Sequence, residues 1–205
     1  ANYWLVIPLV FCENRNVDVL RDALLEELGY PRPRSFAVDT RRLVDRYRAG
    51  AGTAQLLEED IVRSAEQLAA RRVFPNVDGI KFLNHEGGCG GTRQDAQTLV
   101  RLLAGYIDHP NVGGATVLSL GCQNAQIALL EEALQARNPA FDKPLVILEQ
   151  QQSRSERAFI AEAVKRTFVG LIEANRCARQ PASLQHLSLG LECGGSDGFS
   201  GISAN

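Results

Sequence analysis

The sequence contains no methionine, no long apolar run and no excess of basic residues. No apolar run approaches the ~18 residues that a membrane-spanning helix requires, and no basic flank or small-residue cleavage site marks a signal peptide. A net charge of −2 provides no basic field that would attract nucleic acid. We therefore expect a soluble, cytoplasmic protein with neither a nucleic-acid nor a membrane partner.

Several common site motifs are absent as well. No GxGxxG follows a predicted strand, so nothing supports a dinucleotide site, and no GxxxxGK[ST] is present to form a P-loop. No CxxC pair occurs, which counts against a zinc ribbon or a thioredoxin-like site. The five cysteines are an odd number at long spacing, so we expect free thiols rather than disulfides.

Short continuous apolar runs alternate with amphipathic stretches along the chain. Runs such as ATVLSL and PLVIL are typical of a parallel sheet that helices cover on both faces. We therefore expect one α/β domain over residues 1–205, a three-layer Rossmann-like domain with a mostly parallel sheet of about five strands and helices on both faces. The predicted strands are 3–11, 79–84, 115–120, 145–149 and 187–192, and the predicted helices are 17–28, 37–48, 54–72, 94–107, 124–136 and 155–175.

Most of the cysteines follow predicted strands, at the edge of the sheet where ligands bind in parallel α/β proteins. Cys12, Cys89, Cys122 and Cys193 all occupy such positions, whereas Cys177 lies in the tail of a helix and is expected to be inert. A single cysteine after a strand is most often a small buried hydrophobe. Four cysteines at equivalent positions favour a shared functional edge.

The segment NHEGGCGG, residues 84–91, places His85, Glu86 and Cys89 among glycines. Glycine is used where the backbone takes a positive φ or approaches another group closely. A lone histidine is more often structural, but one beside a carboxylate and a glycine turn is a candidate for proton transfer. Arg93 opens the next helix and is a candidate anion contact, with a solvated helix residue as the alternative. Thiolate and imidazole groups suit iron or zinc better than magnesium.

Four segments resemble the altronate/galactarate dehydratase family: ANYWLVIPLVFCENRNVDVLR, NHEGGCGG, HPNVGGATVLSLGCQN and GLECGGSDGFSGISAN. The resemblance covers essentially all 205 residues and implies the central region of a longer dehydratase chain. The lack of methionine, a start at Ala1 and an end at Asn205 favour the same expectation. Many relatives have threonine after the loop histidine, so no family role is carried onto Glu86.

The resemblance implies a carbon–oxygen lyase that removes water from a sugar acid of hexuronate catabolism, altronate or a related aldonate or aldarate. The product is a 2-keto-3-deoxy sugar acid. It also implies a divalent metal, with iron preferred, manganese as the alternative and an iron–sulfur cluster still open. The site hypotheses are His85 and Asp197 as acid or base, Asn14, Arg93, Asn124 and Ser196 as substrate-binding residues, and Cys89, Cys122, Cys193 and Cys12 as metal ligands.

Two other functions stay open. The region could be a scaffold or oligomerisation domain, with the chemistry carried by the missing part of the enzyme, and a homo-oligomer fits this hypothesis. A thiol-dependent redox or acyl-transfer enzyme with Cys89 or Cys193 as nucleophile is the weaker alternative, since helix N-termini lower the pKa of a thiol. The isolated fragment is expected to be inactive in either case.

Overall fold

The structure is a computed structural model that describes residues 1–30, 36–64 and 72–190. Helices and strands alternate along most of the chain, as the apolar pattern predicts. In chain order the elements are β1 (Tyr3–Pro8), α1 (Asn14–Leu25), β2 (Phe36–Val38), α2 (Thr40–Arg48), α3 (Thr53–Leu57), β3 (Val62–Ser64), β4 (Gly79–Phe82), α4 (Arg93–Asp108), β5 (Val112–Ser119), α5 (Ile127–Arg137), β6 (Leu145–Glu149) and α6 (Glu156–Ala174). Short 3-10 turns cover Phe11–Glu13, Gln150–Gln152 and Leu184–His186.

The main sheet has four strands in the order β4-β1-β5-β6, and every neighbouring pair is parallel. The predicted parallel α/β fold is therefore confirmed. β1 lies between two partners, and its residues from Trp4 onward are buried. A strand that is covered on both faces needs apolar side chains on both, which explains the unbroken run WLVIP.

Alternating side chains of β1 enter two separate cores, one on each face of the sheet. Trp4 and Val6 pack with α1 and α6. Leu5 and Ile7 pack with α4 and α5. This division follows from the two-residue period of a strand, and it gives the three layers that the sequence predicts.

The Trp4 side chain is fully buried, and glycines make room for its ring. A Cβ atom on Gly170 would overlap the ring, and Gly114 is close to its other edge. The indole N–H donates to Thr116 Oγ1 at 3.0 Å, and that hydroxyl lies 2.8 Å from Thr167 Oγ1. The indole and both hydroxyls thus have polar partners within an otherwise apolar layer.

Residues 36–64 differ from the sequence prediction. Helix 37–48 begins later, at Thr40, because Phe36–Val38 forms a strand. The predicted helix 54–72 is confirmed over residues 54–57, where α3 lies, and is wrong over residues 58–64, where the chain leaves the helix and Val62–Ser64 pairs antiparallel with β2. Cross-strand contact between Val38 and Val62, two β-branched residues, outweighs the helical pattern here. Residues 65–71 lie outside the described part of the chain.

The predicted fifth strand, 187–192, is not formed over residues 187–190. Leu187 and Leu189 are mostly exposed, so their alternation with polar residues lacks the burial that stabilises a strand. Residues 191 and 192 lie outside the described residues. The main sheet of the described chain therefore has four strands rather than about five.

Within the described residues, no helix combines the length and hydropathy that crossing a membrane requires.

The tight packing of Trp4 predicts opposite effects for two helical Gly→Ala substitutions. Gly170→Ala should lower the free energy of unfolding by about 2 kcal/mol, because the new methyl group has to displace a buried ring. Gly105→Ala in α4 is the matched control, since its Cβ would meet only the guanidinium group of Arg137, at an ordinary contact distance of 3.8 Å. That change should raise stability by about 0.5–1 kcal/mol through reduced chain entropy. Urea unfolding measures both, and equal effects would contradict the packing described for Trp4.

Candidate functional site

The sheet has a topological switch point between β1 and β5. The chain leaves β1 toward α1 on one face and leaves β5 toward α5 on the other. Because these two strands are neighbours, their following loops diverge and open a crevice at the carboxyl edge, where ligands of parallel α/β proteins bind. We call residues 9–14, 83–92 and 120–126, which follow β1, β4 and β5, the rim.

Gly88 joins all three segments of the rim. Its φ is +101°, and a Cβ atom there would overlap Leu9 O and lie 2.7 Å from Val10 Cα. Its carbonyl oxygen accepts the backbone N–H groups of Asn124 at 2.9 Å and Ala125 at 3.0 Å. Only glycine permits both this conformation and this close approach, which explains part of the glycine content of the loop.

Two asparagine side chains also hold the loop in place. Asn124 Nδ2 donates to Cys89 O at 2.7 Å, and Asn14 Nδ2 donates to His85 O at 2.9 Å. A backbone bond from Phe11 N to Gly87 O, 2.9 Å long, adds a further link. The amides that the sequence analysis assigns to substrate hydroxyls therefore contact loop carbonyls here, while substrate binding by them stays a prediction.

The His85 ring is fixed by the backbone on both sides. The N–H of Gly87 donates to Nδ1 at 3.2 Å, so Nδ1 is an acceptor without a proton. Nε2 lies 2.7 Å from Pro8 O and therefore carries the proton that it donates to this carbonyl. His85 is thus a half-buried, neutral imidazole. It belongs to the segment that follows β4, and its ring lies against Pro8, the last residue of β1. A role in proton transfer requires one of these two bonds to open.

The structure places Cys12, Cys89 and Cys122 on the three different segments of the rim. Cys12 and Cys122 are exposed, Cys89 is half-buried, and all three are free thiols. Among the described residues, however, no three His, Cys, Asp or Glu side chains come together in a way that could hold a metal ion. The remaining predicted residues, Cys193, Ser196 and Asp197, lie outside the described part of the chain.

The N-terminus of α4 is capped within the chain. Thr92 Oγ1 accepts the N–H of Asp95 at 3.2 Å, and Asp95 Oδ2 accepts the N–H of Thr92 at 2.7 Å. These bonds with Thr92 hold the pKa of Asp95 below its usual value. Arg93, the first residue of the helix, is exposed, and Asp95 lies two positions further along the same helical turn. An anion would therefore have to approach next to a negative charge.

Sequence reasoning missed a set of buried polar side chains that lie in the rim segments or directly next to them in the chain. Glu13, Asn16, Ser119 and Gln123 are all almost completely buried. Gln123 Oε1 accepts the N–H of Gly121 at 2.7 Å, and its Nε2 donates to Ser119 Oγ at 2.5 Å. Their position in the sequence could have indicated two of them, because Glu13 and Gln123 follow predicted strands in the same way as the cysteines do.

Burial dominates the electrostatics of Glu13. Desolvation raises the pKa of its carboxyl group, a hydrogen bond from Asn16 lowers it, and the negative charge of Glu156 raises it further. Buried carboxyl groups are rare in folded proteins unless they are paired or bind a ligand.

The fold and the rim define an α/β domain whose candidate site lies outside the carboxyl ends of parallel strands. Residues 1–175 match the family profile described as D-galactarate dehydratase/altronate hydrolase, second domain. The chain belongs to this family.

Two similar proteins are both named altronate dehydratase. The chain is 35% identical over 154 residues to an altronate dehydratase of Bacillus subtilis (strain 168), which is 75% of this chain and 29% of the relative. It is 34% identical over 129 residues to an altronate dehydratase of Escherichia coli (strain K12), which is 63% of this chain and 25% of the relative. The chain thus spans less than a third of the length of these relatives. No solved structure matches it with significance.

The contacts of Gly88 predict a strong effect of a single methyl group. Gly88→Ala should destabilise the protein by roughly 3 kcal/mol, because it combines a strained φ with an overlap against the backbone of the first rim segment. Gly90→Ala is the matched control in the same loop, where a Cβ would meet nothing within 4 Å. We expect it to change stability by less than about 0.5 kcal/mol. Denaturant unfolding of both variants checks this, and a Gly88→Ala variant as stable as the control would contradict it.

Proposed function

We propose that the protein is a sugar-acid dehydratase, a lyase that removes water from altronate or a related aldonate or aldarate to give a 2-keto-3-deoxy sugar acid. Family membership supports the activity, together with the names of the two relatives. The structural observation that carries the proposal is the union of three strand-end loops around Gly88. This union brings a histidine and three thiols to one edge of the sheet.

The reaction requires two proton transfers. A base removes the proton from C2, next to the substrate carboxylate, and the electron pair forms the C2–C3 double bond as the C3 hydroxyl leaves. An acid protonates that hydroxyl, so the leaving group is water. The resulting enol then ketonises to the 2-keto product. Removal of the C2 proton concentrates negative charge around C1 and C2, so nearby donors or cations lower the barrier to this step.

We assign one proton transfer to His85 and the other to Asp197. Imidazole titrates near neutral pH, which suits it to either role. In the described structure the proton of His85 is on Nε2, which faces Pro8 O, and Nδ1 faces Gly87 N. Substrate binding would have to displace one of these backbone partners, and the adjacent glycines allow the loop to adjust. Asn14, Arg93, Asn124 and Ser196 remain the proposed substrate contacts.

A divalent metal is part of the proposal on the family resemblance, with iron first, manganese second and an iron–sulfur cluster as the third form. The described residues do not by themselves fit iron or an iron–sulfur cluster, since no three His, Cys, Asp or Glu side chains among them converge. The proposed set of Cys12, Cys89 and Cys122 needs Cys193 and a rearrangement of the rim. We therefore derive no step of the reaction through a metal.

A scaffold domain is the second candidate function, and specific contacts favour it. Both nitrogens of His85 have backbone partners, and the side-chain amides of Asn14 and Asn124 each donate to a loop carbonyl. Under this hypothesis the chemistry belongs to another part of the enzyme. The rim would then be a structural support or a contact surface for that part.

Alanine substitution in the full-length enzyme separates the two functions. We expect three variants, His85→Ala, Cys122→Ala and Cys193→Ala, each to lower kcat for dehydration of altronate by about 100-fold or more. Circular dichroism should show that each variant keeps the wild-type fold. Cys177→Ala is the control, because this exposed thiol follows α6, away from the rim. Near-normal turnover in all three rim variants would overturn the enzymatic assignment and support the scaffold.

A further inference from the structure

Two buried oxygen atoms near the start of α1 lack a hydrogen-bond partner within the described residues. They are Glu13 Oε1 and Asn16 Oδ1. The two residues are 0% and 3% exposed, so bulk water does not solvate these atoms. An unpaired buried acceptor costs about 1–3 kcal/mol, and more when it is charged. Two such acceptors, three residues apart, require a partner from beyond the described side chains.

The orientation of the Asn16 amide follows from its contacts. Nδ2 donates to Glu13 Oε2 at 2.8 Å and faces Gln150 Oε1 at 3.4 Å. Rotating the amide by 180° would place its oxygen against a carboxylate oxygen and a second amide oxygen, which are all acceptors. The nitrogen is therefore correctly placed, and Oδ1 has to find a partner outside these residues.

The charge balance around Glu13 is negative. No Lys or Arg of the described chain forms an ion pair with Glu13. Arg15 is only two residues further along the chain, but it pairs with Glu156 at 2.7 Å, on the exposed side of the helices. A buried carboxylate without a cationic partner is among the most costly groups in a protein interior. The partner that satisfies both oxygens is therefore expected to be positively charged.

We propose that Glu13, Asn16 and Gln150 form a binding site for a hard cation. Glu13 Oε1 and Asn16 Oδ1 supply two ligands, and Gln150 Oε1, held only at 3.4 Å from Asn16, is available as a third. Carboxylate and amide oxygens are the ligands that Na⁺, K⁺, Mg²⁺ and Mn²⁺ take in proteins. The site contains no thiol or imidazole, so it is separate from the proposed iron ligands.

The bound cation would connect the segment after β1 with the segment after β6. Glu13 ends the 3-10 turn that follows β1, and Gln150 begins the turn that follows β6. These segments lie on opposite sides of β5 in the sheet. The ion would therefore hold these two strand-end segments together, and this structural role is independent of the proposed dehydration.

Thermal unfolding in defined salts tests the site. The protein is first freed of metals with a chelator and exchanged into tetramethylammonium chloride. Na⁺, K⁺, Mg²⁺ or Mn²⁺ is then titrated at constant ionic strength. We expect at least one of these ions to raise the Tm of the wild-type protein in a saturable way, by about 5 °C at 100 times its Kd. Glu13→Gln should lose this response, while Glu132→Gln, which removes one exposed charge from α5, should retain it.

A second variant tests the ligand role of Asn16 directly. Asn16→Asp adds a second carboxylate to the site, so the Mg²⁺ or Mn²⁺ concentration that gives half of the Tm shift should fall at least 10-fold. Equal cation responses in the wild-type and Glu13→Gln proteins would overturn the proposal, as would the absence of any saturable response. Because no substrate is present, neither result depends on whether the protein is a dehydratase.

Discussion

The contact between Gly88 and the segments that follow β1 and β5 is the constraint on which the candidate site depends. Its carbonyl oxygen accepts two backbone N–H groups, and its α-carbon lies against Leu9 and Val10 with no room for a side chain. Strand direction alone brings the three loops to one edge, but it does not hold them together. Gly88 supplies that link, and the position of His85 and the rim thiols follows from it.

Much of the main sheet could be predicted from the sequence, because buried parallel strands are short continuous apolar runs. WLVIP and LVIL are such runs and both form strands of the sheet, the second as a half-buried edge strand that ends at Glu149. Prediction failed where a strand or helix depends on a distant partner. Val62–Ser64 is a strand because it pairs with Phe36–Val38, and local pattern does not reveal this pairing. Residues 187–190 show the reverse case, in which alternating leucines find no partner strand among the residues that the structure describes.

The sequence predicted which loops form the rim of the candidate site, but not the contacts within it. The rule that ligands bind at the carboxyl ends of parallel strands identified the segments of Cys12, His85 and Cys122. It did not reveal that both ring nitrogens of His85 form hydrogen bonds with the backbone, or that the Asn124 amide donates to a loop carbonyl. These contacts depend on the conformation of the glycine loop. It also gave no weight to Asn16, because an amide inside a helix has no distinctive sequence pattern.

Amide hydrogen exchange tests most directly whether Gly88 unites the rim. The N–H groups of Asn124 and Ala125 lie outside the helices and strands, yet both donate to Gly88 O. The account predicts that they exchange much more slowly than the N–H of Gly90, an exposed residue of the same glycine loop. Exchange of Asn124 and Ala125 as fast as that of Gly90 would contradict it, because the three loops would then not be held together.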